Sequence, residues 1–346
     1  MIDIEKLFLE PLKSTRAGSF YNSFPYPTKI SPEAIAIYIA CMTSPGDLVL
    51  DTFGGSGSTG VAALLCEHPT EEMKRLSSEM NVSLVWGKRY AVIYELGTYA
   101  SFASRTITSK ISAKEFQKAL DKFILMAEKE VTPYYRTHDE NGEDGLIRYV
   151  IWSEILLCPE CKREFNYFSE GTTRNPVSFK KDIVCPFCGK MHNVDEMEYA
   201  TETAYDSLLK ANVKRKKRVP AWIYGITGKR RWDRPADEID LAQYKDIESR
   251  PYDKDDTPKK IKWGDLHRSG YHFGITYLHQ MYTKRNYTVF YKLWKLADCF
   301  EKKQSDALKL LLLSYNSAHC TMMTRVVAKH NAKDLCSPVY KAVFYT

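Results

Sequence analysis

The chain has no apolar run approaching the roughly 18 residues that a membrane-spanning helix requires. Its longest, Ala34 to Met42, reads as a buried helix packed near the first strand. It also lacks the basic-then-apolar opening of a secretory signal, because Met1 leads into Asp3 and Glu5. Those two absences point to the cytoplasm. Nine cysteines without a secretory signal imply a reducing compartment, where paired cysteines mean metal rather than disulfide. A strong charge imbalance is missing as well: 50 Lys and Arg against 43 Asp and Glu leave a net +7. That surplus is unevenly placed, which suits a nucleic-acid partner. At 346 residues the chain exceeds one average domain, so two or three units are expected.

What is present concentrates in residues 48–60, LVLDTFGGSGSTG. The β-branched and apolar run Leu48-Val49-Leu50 ends in a carboxylate, Asp51. Gly54, Gly55 and Gly57 follow, and then a helix-compatible segment, Val61-Ala62-Ala63-Leu64-Leu65. Strand, glycine turn and helix form the first crossover of a nucleotide-binding α/β sheet, where ligands sit outside the strand's carboxyl end. Glycine allows close backbone approach and positive φ. The dinucleotide fingerprint itself is absent, since the glycine spacing differs.

With its flanks this stretch resembles motif I of the S-adenosylmethionine-dependent amino-methyltransferases of DNA, whose usual form is D-P-F-x-G-S-G-T. The corresponding residues are Asp51, Thr52 in place of proline, Phe53, Gly54, Gly55, Ser56, Gly57, Ser58 and Thr59. Upstream, Phe24-Pro25-Tyr26-Pro27-Thr28-Lys29-Ile30-Ser31 resembles motif X, which lies beside the cofactor. Downstream, Lys88-Arg89-Tyr90-Ala91-Val92-Ile93-Tyr94-Glu95-Leu96 resembles motif II, a second strand ending in the acid that binds the ribose hydroxyls. The resemblance implies that Tyr26, Pro27, Thr28, Lys29, the 51–59 loop, Glu95 and Leu96 hold S-adenosylmethionine.

An acid about 20 residues past the glycines is the norm in the related dinucleotide fold, and Glu95 lies further on. Residues 67–87 are therefore expected to insert a loop or helix between the first helix and the second strand. The alternative makes Val82-Ser83-Leu84-Val85 the second strand and gives Glu95 another role. The insertion is preferred, because Tyr94-Glu95-Leu96 leads into Ala100-Ser101-Phe102-Ala103, which reads as the next helix.

Cys158-Pro159-Glu160-Cys161 and Cys185-Pro186-Phe187-Cys188 form two C-x2-C knuckles separated by 23 residues. Four sulfurs in tetrahedral array match a structural zinc site, with no position open for catalysis. The segment between them predicts a zinc ribbon, a form that relies on its metal to fold. His192 reads as surface. After the ribbon come a run of cations at Lys214, Arg215, Lys216, Lys217 and Arg218, and a second at Lys229, Arg230 and Arg231. Trp222, Tyr224 and Trp232 interleave with them. Clustered cations neutralise phosphates and aromatics stack on bases, so both runs and Trp232 are expected to contact DNA. Residues 236–265, of mixed charge and interrupted by Pro251 and Pro258, read as irregular connection. Residues 274–287 lead into a helical stretch, and Thr283-Lys284-Arg285-Asn286 resembles an element of large zinc-containing bacterial DNA methylases. In those proteins a strand like Ile147-Arg148-Tyr149-Val150-Ile151-Trp152 also precedes the first knuckle.

One signature is missing. Amino-methyltransferases carry motif IV, D-P-P-Y or a near variant, which holds the target amino group of an extruded base. Asp233-Arg234-Pro235 lacks the second proline and the aromatic, and Ser337-Pro338-Val339-Tyr340 has valine in place of the second proline. The order of motifs, with a zinc and basic insertion where target recognition would lie, makes the expected protein the cofactor-binding subunit of a split enzyme. A partner chain supplies motif IV and completes the sheet. The expected fold is α/β: a partial Rossmann-like methyltransferase sheet, an inserted zinc ribbon and a helical C-terminal region. Its segments are 1–112 for the cofactor, 113–152 for a helix and strand, 153–200 for the ribbon, 201–290 for DNA contact and 291–346 for the C-terminal helices. The expected reaction is N6-adenine methylation of DNA in restriction-modification or defence against it. An inactive nucleic-acid-binding scaffold and an RNA methyltransferase are the alternatives.

Overall fold

A computed structural model describes residues 18–79, 84–174, 177–265, 267–268, 270, 272–316, 321–322 and 343–345. The expectations on Ser337–Tyr340, on Val82 and Ser83, and on the opening residues lie outside these. The chain divides into two compact units, one formed by residues 1–124 with 294–315 and the other by 125–293 with 316–346.

In the first unit, helix α1 (Pro32–Met42) starts where the Ser31 side chain accepts from the Ala34 amide, with proline at the first helical position. Strand β1 (Leu48–Asp51) follows, then α2 (Ser58–Leu65), α3 (Glu71–Glu79), strand β2 (Tyr90–Ile93) and α4 (Thr98–Ile107). The strands β1 and β2 pair in parallel with Leu48 opposite Tyr90 and Asp51 opposite Ile93. Helix α3 thus fills the region between the first crossover helix and the second strand. Arg89, 2% exposed, ties the return of that insertion by donating to the carbonyls of Thr43, Val85 and Gly87.

The two-stranded sheet has unequal faces. Val49 and Ala91 pack on a core of Ala36, Ile39, Ala40, Ala62 and Met73 from α1, α2 and α3. The opposite face, Leu48, Leu50, Tyr90 and Val92, is exposed among the described residues, Leu48 at 63%. Parallel sheets are ordinarily covered on both faces, and a pair of strands is a fragment of one. The motif X segment packs through Phe24 on Ala103 of α4 and Leu310 of the helix Lys302–Tyr315.

The second unit is built on one long strand. After helix α5 (Ala113–Tyr135) come β3 (Arg136–His138) and β4 (Asp144–Leu157), whose run Val150–Leu156 is buried throughout. Strand β4 pairs antiparallel with β3, β5 (Glu164–Asn166), β8 (Glu198–Tyr199) and β11 (Arg218–Thr227), which in turn pairs with β12 (Arg230–Pro235). Hairpin β6–β7 (Asp182–Val184, Met191–Asn193) lies within the 153–200 segment expected to form a ribbon, and β9–β10 (Thr201–Asp206, Ala211–Lys216) lies in the segment beyond it. The expected strand at 147–152 thus continues straight into the first knuckle.

Residues 236–265 differ from the expectation of an irregular connection, because helix α6 spans Glu238–Ser249. Asp237 forms a capping box with Asp240, and an Asp246–Arg250 pair closes the last turn. The mixed signs are local helix signals, and Pro251 comes only after the helix ends. Helix α7 (Lys284–Ala297) starts at the Thr283-Lys284-Arg285-Asn286 element.

Candidate functional site

The loop after β1 continues the parallel pairing. Tyr94 donates to the Asp51 carbonyl at 2.8 Å, Gly54 donates to the Tyr94 carbonyl at 2.9 Å, and Gly57 closes the turn on the Gly54 carbonyl at 2.8 Å. Gly55 and Gly57 have positive φ, +51° and +84°. The glycines are not equivalent. A Cβ on Gly54 would lie 2.0 Å from Ile93 Cγ2, one on Gly57 2.7 Å from Ser104 Oγ, and one on Gly60 2.6 Å from Ile93 Cδ1. These three let strand, loop and helix touch. A Cβ on Gly55 would meet nothing nearer than the Tyr26 ring at 3.4 Å, so Gly55 is the glycine whose outer side is open.

Asp51 and Glu95 hold this loop in shape. The Asp51 carboxylate accepts from the Phe53 amide at 3.0 Å and from the Thr59 hydroxyl at 2.6 Å. The Glu95 carboxylate accepts from the amides of Gly55 at 2.7 Å and Gly97 at 2.6 Å. The carbon skeleton around them is exposed, Phe53 at 90% and Leu96 fully. Tyr26, Asp51, Gly55 and Glu95 therefore converge at the carboxyl ends of two parallel strands, the position where open α/β sheets take ligands. Each carboxylate oxygen keeps a second lone pair for an incoming donor. Ser56 and Ser58 are buried against each other, 3.1 Å apart, while Pro27 and Thr28 are exposed.

Lys29 differs from its expected part. Its ammonium is buried and donates to the carbonyls of Phe20, Tyr21 and Phe24, and it lies 3.6 Å from the centre of the Phe24 ring. Burial draws it down to about 8. It staples the motif X segment rather than reaching the loop. Lys29→Met, which leaves those carbonyls unpaired, is expected to destabilise the chain by about 2 kcal/mol in a denaturant titration, from the cost of orphaned buried acceptors.

The four cysteines come together. Cys158 and Cys188 lie 3.6 Å apart, Cys161 and Cys185 3.7 Å apart, and all four sulfurs lie within 4.8 Å of one another. A tetrahedral metal with bonds of about 2.3 Å to sulfur requires edges of about 3.8 Å, so the set fits. The two knuckles repeat one geometry. Cys158 donates to Arg163 and accepts from Lys162, just as Cys185 donates to Lys190 and accepts from Gly189. Gly189 has φ +71° and Lys162, at the matching position, φ +58°. Lys162→Gly is expected to stabilise the knuckle by roughly 0.5–1 kcal/mol, visible as a higher melting temperature, because a left-handed residue with a Cβ is strained. Desolvation opposes ionisation of Cys158, yet amides of Cys161 and Glu160 bring its thiol down to about 6; at Cys188 the Lys190 amide also favours the thiolate, but desolvation and the neighbouring Cys158, Cys185 and Cys161 thiols push it up to about 11. His192, read as surface, stands with Nε2 3.6 Å from Cys158 Sγ, where it can orient a ligand sulfur. Its position depends on the β6–β7 hairpin, which spacing from the knuckle did not reveal.

The basic runs are largely consumed inside the fold. Lys216 and Arg218 converge on the fully buried Glu154, with Arg218 Nη2 2.9 Å and Lys216 Nζ 3.4 Å from its carboxylate. Arg215 pairs with Glu202 and Glu248, Lys217 with Glu164, and Arg230 with Asp139 and Glu140. Trp232 is 6% exposed; its indole donates to Thr227 and covers Gly225, where a Cβ would lie 2.1 Å from the ring. Its burial corrects the expectation that it stacks on bases. Lys214, Lys229 and Arg231 remain exposed.

No helix among the described residues is long and apolar enough to cross a membrane. No curated protein and no solved structure matches the chain. Residues 5–68, which take in motif X and the glycine loop, match the N6/N4 family model described as DNA methylase, and this supports a DNA N6/N4 methyltransferase.

Proposed function

We propose that this chain is the cofactor-binding subunit of a split DNA methyltransferase that moves a methyl group from S-adenosylmethionine to an exocyclic amino group, N6 of adenine. The observation that carries this is the convergence of Tyr26, Asp51, Gly55 and Glu95 at the carboxyl ends of β1 and β2, the first three of them inside the matched residues 5–68. Gly55 gives the cofactor backbone approach, and Glu95 and Asp51 accept from its hydroxyl and amino groups. The bound cofactor supplies an electrophilic methyl sulfonium; this chain's residues bind and orient it.

The catalytic D-P-P-Y-type motif comes from a partner chain. The bare face of Leu48, Leu50, Tyr90 and Val92 and, among the described residues, the single pairing of each strand support that reading, because they are the surfaces on which further strands and helices of such a sheet would build. The four-cysteine cluster holds zinc in a structural role, and Lys214, Lys229 and Arg231 provide phosphate contacts. Co-expression with a partner carrying D-P-P-Y, followed by nucleoside analysis of the host DNA, tests the proposal. N6-methyladenine in DNA is expected. Methylation confined to RNA, or none with any such partner, contradicts it.

One observation favours a second reading, an inactive nucleic-acid-binding scaffold: both Glu95 oxygens already accept loop amides. Calorimetry with S-adenosylmethionine separates the two readings, since a scaffold takes up no cofactor in any partner context.

A further inference from the structure

Three apolar side chains stand exposed together around the second knuckle. Val184 and Met191 lie directly opposite each other in the β6–β7 hairpin, 52% and 67% exposed, and Phe187, in the turn that joins them, is 50% exposed. Side chains alternate along a strand. Ile183, next to Val184, therefore points the other way and is fully buried in the core that holds Cys158 and Cys185. The hairpin thus has one apolar face inside and a second one bare.

The charges around the bare face are mostly of one sign. The repeated knuckle geometry sets a cation just past each turn, because the carbonyls of Arg163 and Lys190 accept from the amides of Cys158 and Cys185 respectively. The Arg163 guanidinium lies 5.2 Å from the centre of the Phe187 ring. Lys162 and Lys190 are exposed, and among the described residues neither pairs with a carboxylate. The acids close to them in the chain are largely engaged, Glu164 with Lys217 and Asp182 with the Asn193 amide. That leaves Glu160 of the first knuckle against three cations. The contrast with residues 215–218 is direct, since those cations already face Glu154, Glu164, Glu202 and Glu248.

An exposed apolar patch rimmed by polar groups marks an interaction surface. Unneutralised lysines at its rim call for a partner dense in negative charge, and an aromatic backed by a guanidinium is suited to bases. Apolar wedges of this kind, Phe and Met among them, pack into DNA grooves between base steps.

We propose that this face of the paired knuckles is a duplex-DNA contact, with Lys162 and Lys190 on phosphates and Phe187, flanked by Val184 and Met191, against the bases of a groove. The choice of DNA as the polyanion rests on the methyl-transfer reading and the match over residues 5–68. The contact itself does not, since no residue of the glycine loop takes part.

The test measures binding of the whole chain to a labelled DNA duplex by fluorescence anisotropy across a range of salt, without cofactor or partner. Lys162→Gln combined with Lys190→Gln is expected to lower the slope of log affinity against log salt by about two units. Phe187→Ala is expected to weaken binding about tenfold with the slope unchanged. Unchanged melting temperatures show that both variants fold, and should Phe187→Ala fail to, the lysine pair decides alone. Absence of DNA binding, or an unchanged slope in the lysine variant, overturns the proposal. So does a loss confined to structured RNA or to anionic lipid vesicles. A lowered slope with full affinity in Phe187→Ala overturns the part given to the apolar face. Because no methyl donor is present, failure here leaves the glycine-loop assignment standing, and failure of methyl transfer leaves this contact standing.

Discussion

With zinc proposed at the four-cysteine site, its removal by a chelator, or replacement of Cys185 by serine, is expected to unfold the second unit as a whole rather than the segment around the knuckles alone. Cys158 and Cys185 are fully buried and belong to one core with Ile151, Leu156, Tyr167, Ile183 and Tyr224. Ile151 and Leu156 lie on β4, the strand on which the unit's sheet is built, so the ribbon and the sheet share their interior. Structural zinc contributes about 10–16 kcal/mol in small zinc-binding peptides, and a whole domain is stable by about 5–15 kcal/mol. Loss of a zinc bound there would therefore remove free energy comparable to the stability of the whole unit. A chelator titration followed by near-ultraviolet circular dichroism checks this. The aromatic signal of the unit should vanish as one zinc per chain is released, and Cys185→Ser should show no cooperative transition. A variant that melts cooperatively at the wild-type temperature contradicts the assignment.

Asp51→Ala is expected to weaken S-adenosylmethionine binding by about a hundredfold or more. The carboxylate accepts from the Phe53 amide and from the Thr59 hydroxyl, joining β1, the loop and α2. Hydrogen bonds to a charged group contribute about 1.5–3 kcal/mol each, so losing two releases the loop from the shape that presents Gly55. Isothermal calorimetry reads the change in affinity. A circular dichroism melt shows whether the fold persists, as it should, because the core under β1 is made by Val49 and Ala91 against α1 and α2. The contrast with Gly54→Ala is instructive. There the new Cβ falls 2.0 Å from Ile93 Cγ2, so that change is expected to act on folding, with overpacking typically costing about 1–3 kcal/mol.

What the amino-acid sequence disclosed was local. The glycine turn after β1 and the paired knuckles are short patterns whose geometry follows from neighbours a few residues apart. Interactions between distant residues were not legible. Which glycine faces a ligand depends on Ile93 and Ser104, about 40 residues further along. The basic run 214–218 looked like an open phosphate-binding face because its acidic partners stand elsewhere: Glu154, 62 residues before Lys216, and Glu248, 33 residues after Arg215. Trp232 was hidden by the fold in the same way, through pairing of β12 with β11 across Gly225. Helix α6 was missed for a different reason. Its mixed charges are a capping box and a terminal ion pair, which by composition alone resemble a loop. The bare face of β1 and β2 had no sequence signal, since Leu48, Leu50 and Val92 are the residues of an ordinary buried strand.

The central claim is that this chain holds the methyl donor without the residues that aim it. Incubation of the whole chain with tritium-labelled S-adenosylmethionine and duplex DNA, with bound cofactor and DNA-incorporated label counted from the same sample, tests it most directly. The account predicts saturable cofactor binding with no label in the DNA until a D-P-P-Y-bearing partner is added. Label in the DNA from the chain alone contradicts it.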